Sequence, residues 1–204
     1  MLFREIQLET HLLDELKTFY VETLGFKVLN QRKHQFTLSA GTTKLTFKRT
    51  REDHEPFYHF AVNIPENLFA EAKRWLSEKA TLLIEDGKDE FHFEAWNAHA
   101  IYCEDPAGNI VEFIARHNLP KKGDAPFHPE QILNISEVGI PVEDVGLFCR
   151  EVRQSLRLPL FDGNEKNFAA LGDEKGLFIV VPVKRPWFPT SRPAGPFQPI
   201  VQLG

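Results

Sequence analysis

Tyr102-Cys103-Glu104-Asp105-Pro106-Ala107-Gly108-Asn109-Ile110-Val111-Glu112-Phe113 is the stretch on which the reading of this chain turns. Asp-Pro-x-Gly-Asn is turn chemistry: Pro pre-sets one backbone angle, Gly supplies a positive one, and Asp and Asn bond back to the main chain. A strand from Ile110 to Ala115 should follow, with Ile110, Glu112 and Ile114 on one face. The hairpin register then sets Tyr102 opposite Glu112. A carboxylate on an otherwise apolar face is costly unless a cation pairs with it, and a metal ion is one candidate.

Outward from the hairpin, the same order of elements recurs three times: an alternating strand, an amphipathic helix, then a meander of strands. The first unit opens at Arg4-Glu5-Ile6-Gln7-Leu8-Glu9. Its helix runs from about residue 12 to residue 24 and stops at Gly25, with strands at 26–30, 35–40 and 44–49. The second opens at Phe57-Tyr58-His59-Phe60-Ala61-Val62, with a helix over 66–79 and strands near 81–85, 98–103 and 110–115. The third opens at Ile135-Ser136-Glu137-Val138-Gly139-Ile140, with a helix over 145–152 and strands at 158–161, 168–171 and 177–183. Residues 117–132 read as a linker, and the proline-rich tail 184–204 as extended chain ending in a possible short strand at Ile200-Val201-Gln202-Leu203.

The chain has 204 residues, 42% of them hydrophobic and 26% charged, enough for a sizeable core. Eighteen Phe against one Met imply a core of rigid aromatic packing. A net charge of −5 argues against nucleic acid as the partner. No apolar run approaches the length that spans a bilayer, and charges begin at Arg4 and Glu5, so neither a membrane segment nor a signal peptide is expected. Cys103 and Cys149, placed in a strand and a helix, do not suggest a disulfide framework, and a cytoplasmic location is expected.

Tandem βαβββ units with Phe19-Tyr20, Leu24-Gly25-Phe26, His59-Phe60-Ala61-Val62 and Asp105-Pro106-Ala107-Gly108-Asn109 resemble the vicinal oxygen chelate superfamily. That group includes glyoxalase I, fosfomycin-resistance enzymes, bleomycin-resistance proteins and extradiol dioxygenases. The resemblance implies an α+β fold in which paired mixed sheets form a cup-shaped half-barrel. It covers residues 1–116 as a domain of two units, and 133–183 less sharply as a third unit. It also implies a divalent metal (Fe²⁺, Mn²⁺, Zn²⁺ or Ni²⁺) held in the cup by His59, Glu112 and Glu5. Glu5 stands where relatives carry a His. Glu137 occupies the same place in the third unit, so either neighbour of the second unit offers a carboxylate. Thr46 and Phe178 take the Glu112 position in the other two units, which leaves one metal site.

The resemblance further implies a catalytic role for Tyr102 beside Glu112. His92 falls one residue out of register for the acid–base His of the extradiol branch, and His99 should face away from the cup. His11, His34, His54, His117 and His128 read as surface residues. The expected function is a metal-dependent enzyme, a lyase or dioxygenase, acting on a small molecule with vicinal oxygens. The alternative is a metal-free binding protein of the bleomycin-resistance type. An unpaired unit, and the domain-swapped cups of relatives, imply a homodimer.

Overall fold

The computed structural model describes residues 1–50 and 55–204; His54 lies outside them. Two mixed sheets share one continuous apolar core. The first unit supplies β1 (Phe3–Thr10), α1 (Leu13–Lys17), β2 (Val28–Arg32), β3 (Gln35–Ala40) and β4 (Thr43–Arg49). The second supplies β5 (His59–Ile64), α2 (Phe69–Ser77), β6 (Phe91–Phe93), β7 (Ala98–Glu104) and β8 (Ile110–Arg116). The third supplies β9 (Asn134–Val142), α3 (Val145–Leu156), β10 (Leu160–Gly163), β11 (Ala169–Asp173) and β12 (Gly176–Pro182), and β13 (Ile200–Leu203) follows.

The second and third units, not the first and second, build the cup. Their eight strands run β10-β11-β12-β9-β5-β8-β7-β6 and curl through 233° into a half-barrel. β5 and β9 join antiparallel at the centre, and each pairs parallel with the last strand of its own unit, β8 and β12. The first unit makes the other sheet, β13-β1-β4-β3-β2. There β13 lies antiparallel against β1, on the edge that corresponds to the one where β9 meets β5.

Alternation decides which residues go where. On β5, Phe60, Val62 and Ile64 face the common core while Ala61 joins a second cluster with Tyr102, Ile110, Ile114 and Ile179. The abundant phenylalanines are used as expected: Phe3, Phe36, Phe47, Phe60 and Phe113 are fully buried, each burial stabilising the fold by roughly 1.5–3 kcal/mol. Cys103 and Cys149 are buried and free.

Several boundaries differ from expectation. The first helix gives way after Lys17 to a wider π-type turn over Thr18–Thr23 and stops at Gly25, where φ is +77°. Residues 81–85 do not form a strand; Leu82 bridges Cys103 and Glu85 bridges Lys88 as isolated pairs, and the outer strand of the unit is Phe91–Phe93. Residues 117–132 are not loose: Phe127 is buried edge-on against Trp75, and Ile132 is buried in the same core. Among the described residues no helix is long and apolar enough to cross a membrane.

Candidate active site

The Asp105–Asn109 turn places the first functional side chain. Asp105 Oδ1 accepts the backbone N–H groups of Ala107 and Asn109 at 3.0 Å, and its Oδ2 accepts from Asn109 Nδ2 and from the Tyr20 hydroxyl at 2.7 Å. Asn109 Oδ1 in turn accepts the N–H of Tyr58 at 2.9 Å, one residue before His59. Burial outweighs these bonds and lifts the Asp105 carboxyl to about 6. Gly108, at φ +75°, provides the left-handed turn, and a Cβ there would meet the Arg192 guanidinium at 2.5 Å.

The strand registers then set a row across the floor of the cup: Tyr102 on β7, Glu112 on β8, Ala61 on β5 and Glu137 on β9. Ala61 has too small a side chain to fill the gap, so the two carboxylates converge over it. His59, two residues earlier on β5, joins them with Nε2 at 3.1 Å from Glu112 Oε2. All three residues are buried, and one ligand atom from each lies within 4.8 Å of the others. The expected register of Tyr102 opposite Glu112 is present.

Glu5 is not brought to this group. It lies on β1 in the other sheet, where its Oε1 accepts from Thr46 Oγ1 at 2.8 Å. The third carboxylate beside His59 and Glu112 is Glu137, because the pairing edge of β5 is taken by β9 while that of β1 is taken by β13. The position equivalent to Glu112 in the third unit is Ile179, not Phe178: Gly139 pairs with Ile179 as Ala61 pairs with Glu112. Phe178 packs into the common core instead.

Arg116 was not anticipated. It follows Glu112 by four residues on β8, hence on the same face, and is wholly buried. Its guanidinium pairs with Glu137, its Nε donates to Asn63 Oδ1 at 3.2 Å, and it lies 5.3 Å from the Trp96 ring centre. Burial, then the neighbouring Glu112, pushes the Glu137 carboxyl up to about 7, against the opposing pull of Arg116 and His59. Burial and the two carboxylates hold the Tyr102 phenol well above its ordinary value, so it stays protonated.

The tail reaches the site as well. Residues 184–194 double back on themselves, with Lys184 N–H bonding Ala194 O and Trp187 N–H bonding Arg192 O. Arg192 clasps this hairpin to the Asp105–Asn109 turn through Glu104 Oε1 at 3.0 Å and Gly108 O at 2.9 Å. Trp187 stacks on His59 with ring centres 5.2 Å apart. Gly139 makes room for it, since a Cβ there would stand 2.6 Å from the indole. A glycine inside a strand is the sequence signal for such an approach. The resulting cavity of about 310 Å³ is walled by Phe93, Trp96, Phe168, Trp187 and Phe188, with Arg185 also on its lining.

The other described histidines stay outside the group. His92 and His99 pair across β6 and β7 with rings stacked 4.4 Å apart, and His99 bonds His117 on the outer face of the sheet at 2.8 Å.

The donor set fits a divalent ion. An imidazole nitrogen and two carboxylates suit first-row transition metals, and with Arg116 counted the floor carries one negative charge in excess. His59 Nδ1 and Arg116 Nη1 are buried without a hydrogen-bond partner, the mark of a polar floor that its own side chains do not satisfy.

A half-barrel of two βαβββ units, with side chains able to hold a metal ion on its central strands, defines a cup-type fold. Residues 6–113 match the model of the Glyoxalase/Bleomycin resistance protein/Dioxygenase superfamily, and the chain belongs to that superfamily. Among solved structures it is similar to a "putative dioxygenase" from Bacillus subtilis, at 15% identity and a TM-score of 0.62, over 98% of this chain and 66% of that one. It is also similar to glyoxalase I from Zea mays, at 17% identity and a TM-score of 0.55, over 89% of this chain and 66% of that one. The chain therefore spans about two-thirds of the length of either. No curated protein matches it.

Proposed function

We propose that this chain is a divalent-metal-dependent enzyme acting on a small molecule with two adjacent oxygens, with His59, Glu112 and Glu137 as the metal-holding residues. The observation that carries the reading is the convergence of these three buried side chains over Ala61. When bound, such an ion would polarise the substrate oxygens and stabilise an enolate-like anion.

The surrounding residues supply the rest. Arg116 holds one oxygen of Glu137 and so orients that carboxylate. Trp187 packs flat on His59 and fixes its ring. Tyr102, protonated and beside Glu112, is a hydrogen-bond donor or proton source for a substrate oxygen. The aromatic walls exclude water and strengthen these interactions.

A second reading rests on Arg116. Its guanidinium already neutralises Glu137, which favours a cup that binds a small molecule without a metal, as in the bleomycin-resistance type. Elemental analysis of untagged protein, after incubation with Mn²⁺, Fe²⁺, Zn²⁺ or Ni²⁺, separates the two. About one equivalent of metal, lost in both His59→Ala and Glu137→Gln, is expected on the enzyme reading. Absence of bound metal after all four incubations overturns it in favour of the metal-free cup.

A further inference from the structure

We propose that Arg185 is the anion-binding group of the cavity, and that the ligand is a flat aromatic molecule carrying a carboxylate. The inference takes this cavity as the small-molecule site, as above, but does not depend on the metal.

Among the described residues Arg185 is the one arginine at least half-buried that meets no carboxylate; Arg4, Arg32, Arg74, Arg150 and Arg157 also meet none, but they are exposed. Arg49, Arg116, Arg153 and Arg192 each meet a carboxylate, on Asp14, Glu137, Glu165 and Glu104 respectively. Arg185 is half-buried on the cavity lining, and among the described residues its guanidinium has no carboxylate partner within 4.0 Å; it lies 5.4 Å from the Phe168 ring centre. Besides Glu112 and Glu137, the lining carries one more acidic residue among those described, Asp162, which is engaged by the Trp96 indole N–H at 2.6 Å and by the Gly163 N–H. Burial lowers the affinity of Arg185 for its proton without any compensating neighbour, yet an arginine remains charged.

The backbone holds this cation in place. Arg185 N–H bonds Pro182 O at 3.1 Å, and its carbonyl accepts from Ala194 N–H at 2.8 Å, within the hairpin that Arg192 clasps to the Asp105–Asn109 turn. A guanidinium kept half-dry without a counter-charge is costly unless an anion completes it, and its planar fork matches a carboxylate with two parallel hydrogen bonds. Aromatic walls select a flat apolar body, and a volume of about 310 Å³ limits it to one or two rings. The acidic floor and Arg185, the one arginine or lysine among the described residues on the lining, give the cavity a polarity, so the carboxylate turns to Arg185 and away from Glu112 and Glu137.

Calorimetric titration with matched pairs tests this: benzoate against benzamide, and 2-naphthoate against 2-naphthamide. The carboxylate of each pair is expected to bind at least about tenfold more tightly, the equivalent of one charge-assisted hydrogen bond. Arg185→Gln, checked for folding by circular dichroism, should abolish that preference and leave amide affinity unchanged. Glu112→Gln should retain it, which tells a carboxylate held by Arg185 from one bound to metal on the floor. Equal affinity within the pairs, a preference that survives Arg185→Gln, its disappearance in Glu112→Gln, or no binding of either carboxylate at millimolar concentration would overturn the proposal.

Discussion

Arg116 and Glu137 form a buried ion pair across the central strand of the cup: one lies on β8, the other on β9, and β5 runs between them. Neither partner is accessible to water to any useful extent. Removing one therefore leaves the other charge stranded.

Arg116→Met should destabilise metal-free protein by about 3–5 kcal/mol once Glu137 is ionised, above pH 7, read by urea unfolding in the presence of a chelator. The deficit should depend on pH in a definite sense. Glu137 titrates near 7 in the folded wild type, above its ordinary value of 4.5, and loss of the guanidinium raises it further. Below pH 4.5 the carboxyl is protonated in folded and unfolded chains alike and the deficit is small. It grows as pH rises through 7. A deficit that is flat from pH 4 to 8 would show that the pair carries no such coupling.

Glu5→Gln tests the placement of the third carboxylate. Glu5 touches Thr46 in the other sheet, so the variant should take up metal as the wild type does while Glu137→Gln does not. Its stability should fall by only about 0.5–1.5 kcal/mol, the worth of one hydrogen bond. Loss of metal in Glu5→Gln alone would return Glu5 to the ligand set.

Gly139→Ala probes the contact between strand and tail. The new methyl group meets the Trp187 ring at 2.6 Å, so the indole must lift off His59. A loss of about 1–3 kcal/mol is expected for such overpacking, with a shift in tryptophan emission toward that of a wetter ring. An unchanged spectrum would mean that the hairpin accommodates the methyl group without moving Trp187.

Asp105 gives a second dependence on pH. Its carboxyl is raised from 3.8 to about 6. A raised carboxyl favours the folded state fully below pH 3.8 and loses that advantage as pH rises to 6, a swing of about 3 kcal/mol. Asp105→Asn removes the titration, so its stability relative to wild type should improve across that interval and then level off. Thermal unfolding of both proteins from pH 4 to 7 decides it; parallel curves would remove the effect.

What could be read from the chain in advance followed from local chemistry. The Asp105–Asn109 turn determines a hairpin register, and the register alone sets Tyr102 opposite Glu112. Tyr20 and Asp105, which belong to separate motifs of the resemblance, prove to be hydrogen-bonded to each other. The choice between Glu5 and Glu137 was of a different kind. Both sit at the same place in equivalent strands, and which one meets His59 depends on which edge closes on β5, a pairing between segments more than seventy residues apart. One-residue slips had visible costs too: Ile179 rather than Phe178 faces the cup because side chains alternate along a strand. Arg116 and Arg185 were hidden because each acquires its meaning only from what the tertiary fold sets beside it.

The short strand β13 has a consequence for assembly. Four residues long, it pairs with the edge of β1 and so covers backbone N–H and C=O groups that an added strand could otherwise take. Because it is tethered to the same chain, its effective concentration at that edge is of millimolar order. An exchange of strands between two copies would have to outcompete it, so at cellular abundance β13 works as a built-in competitor that keeps the β1 edge to itself.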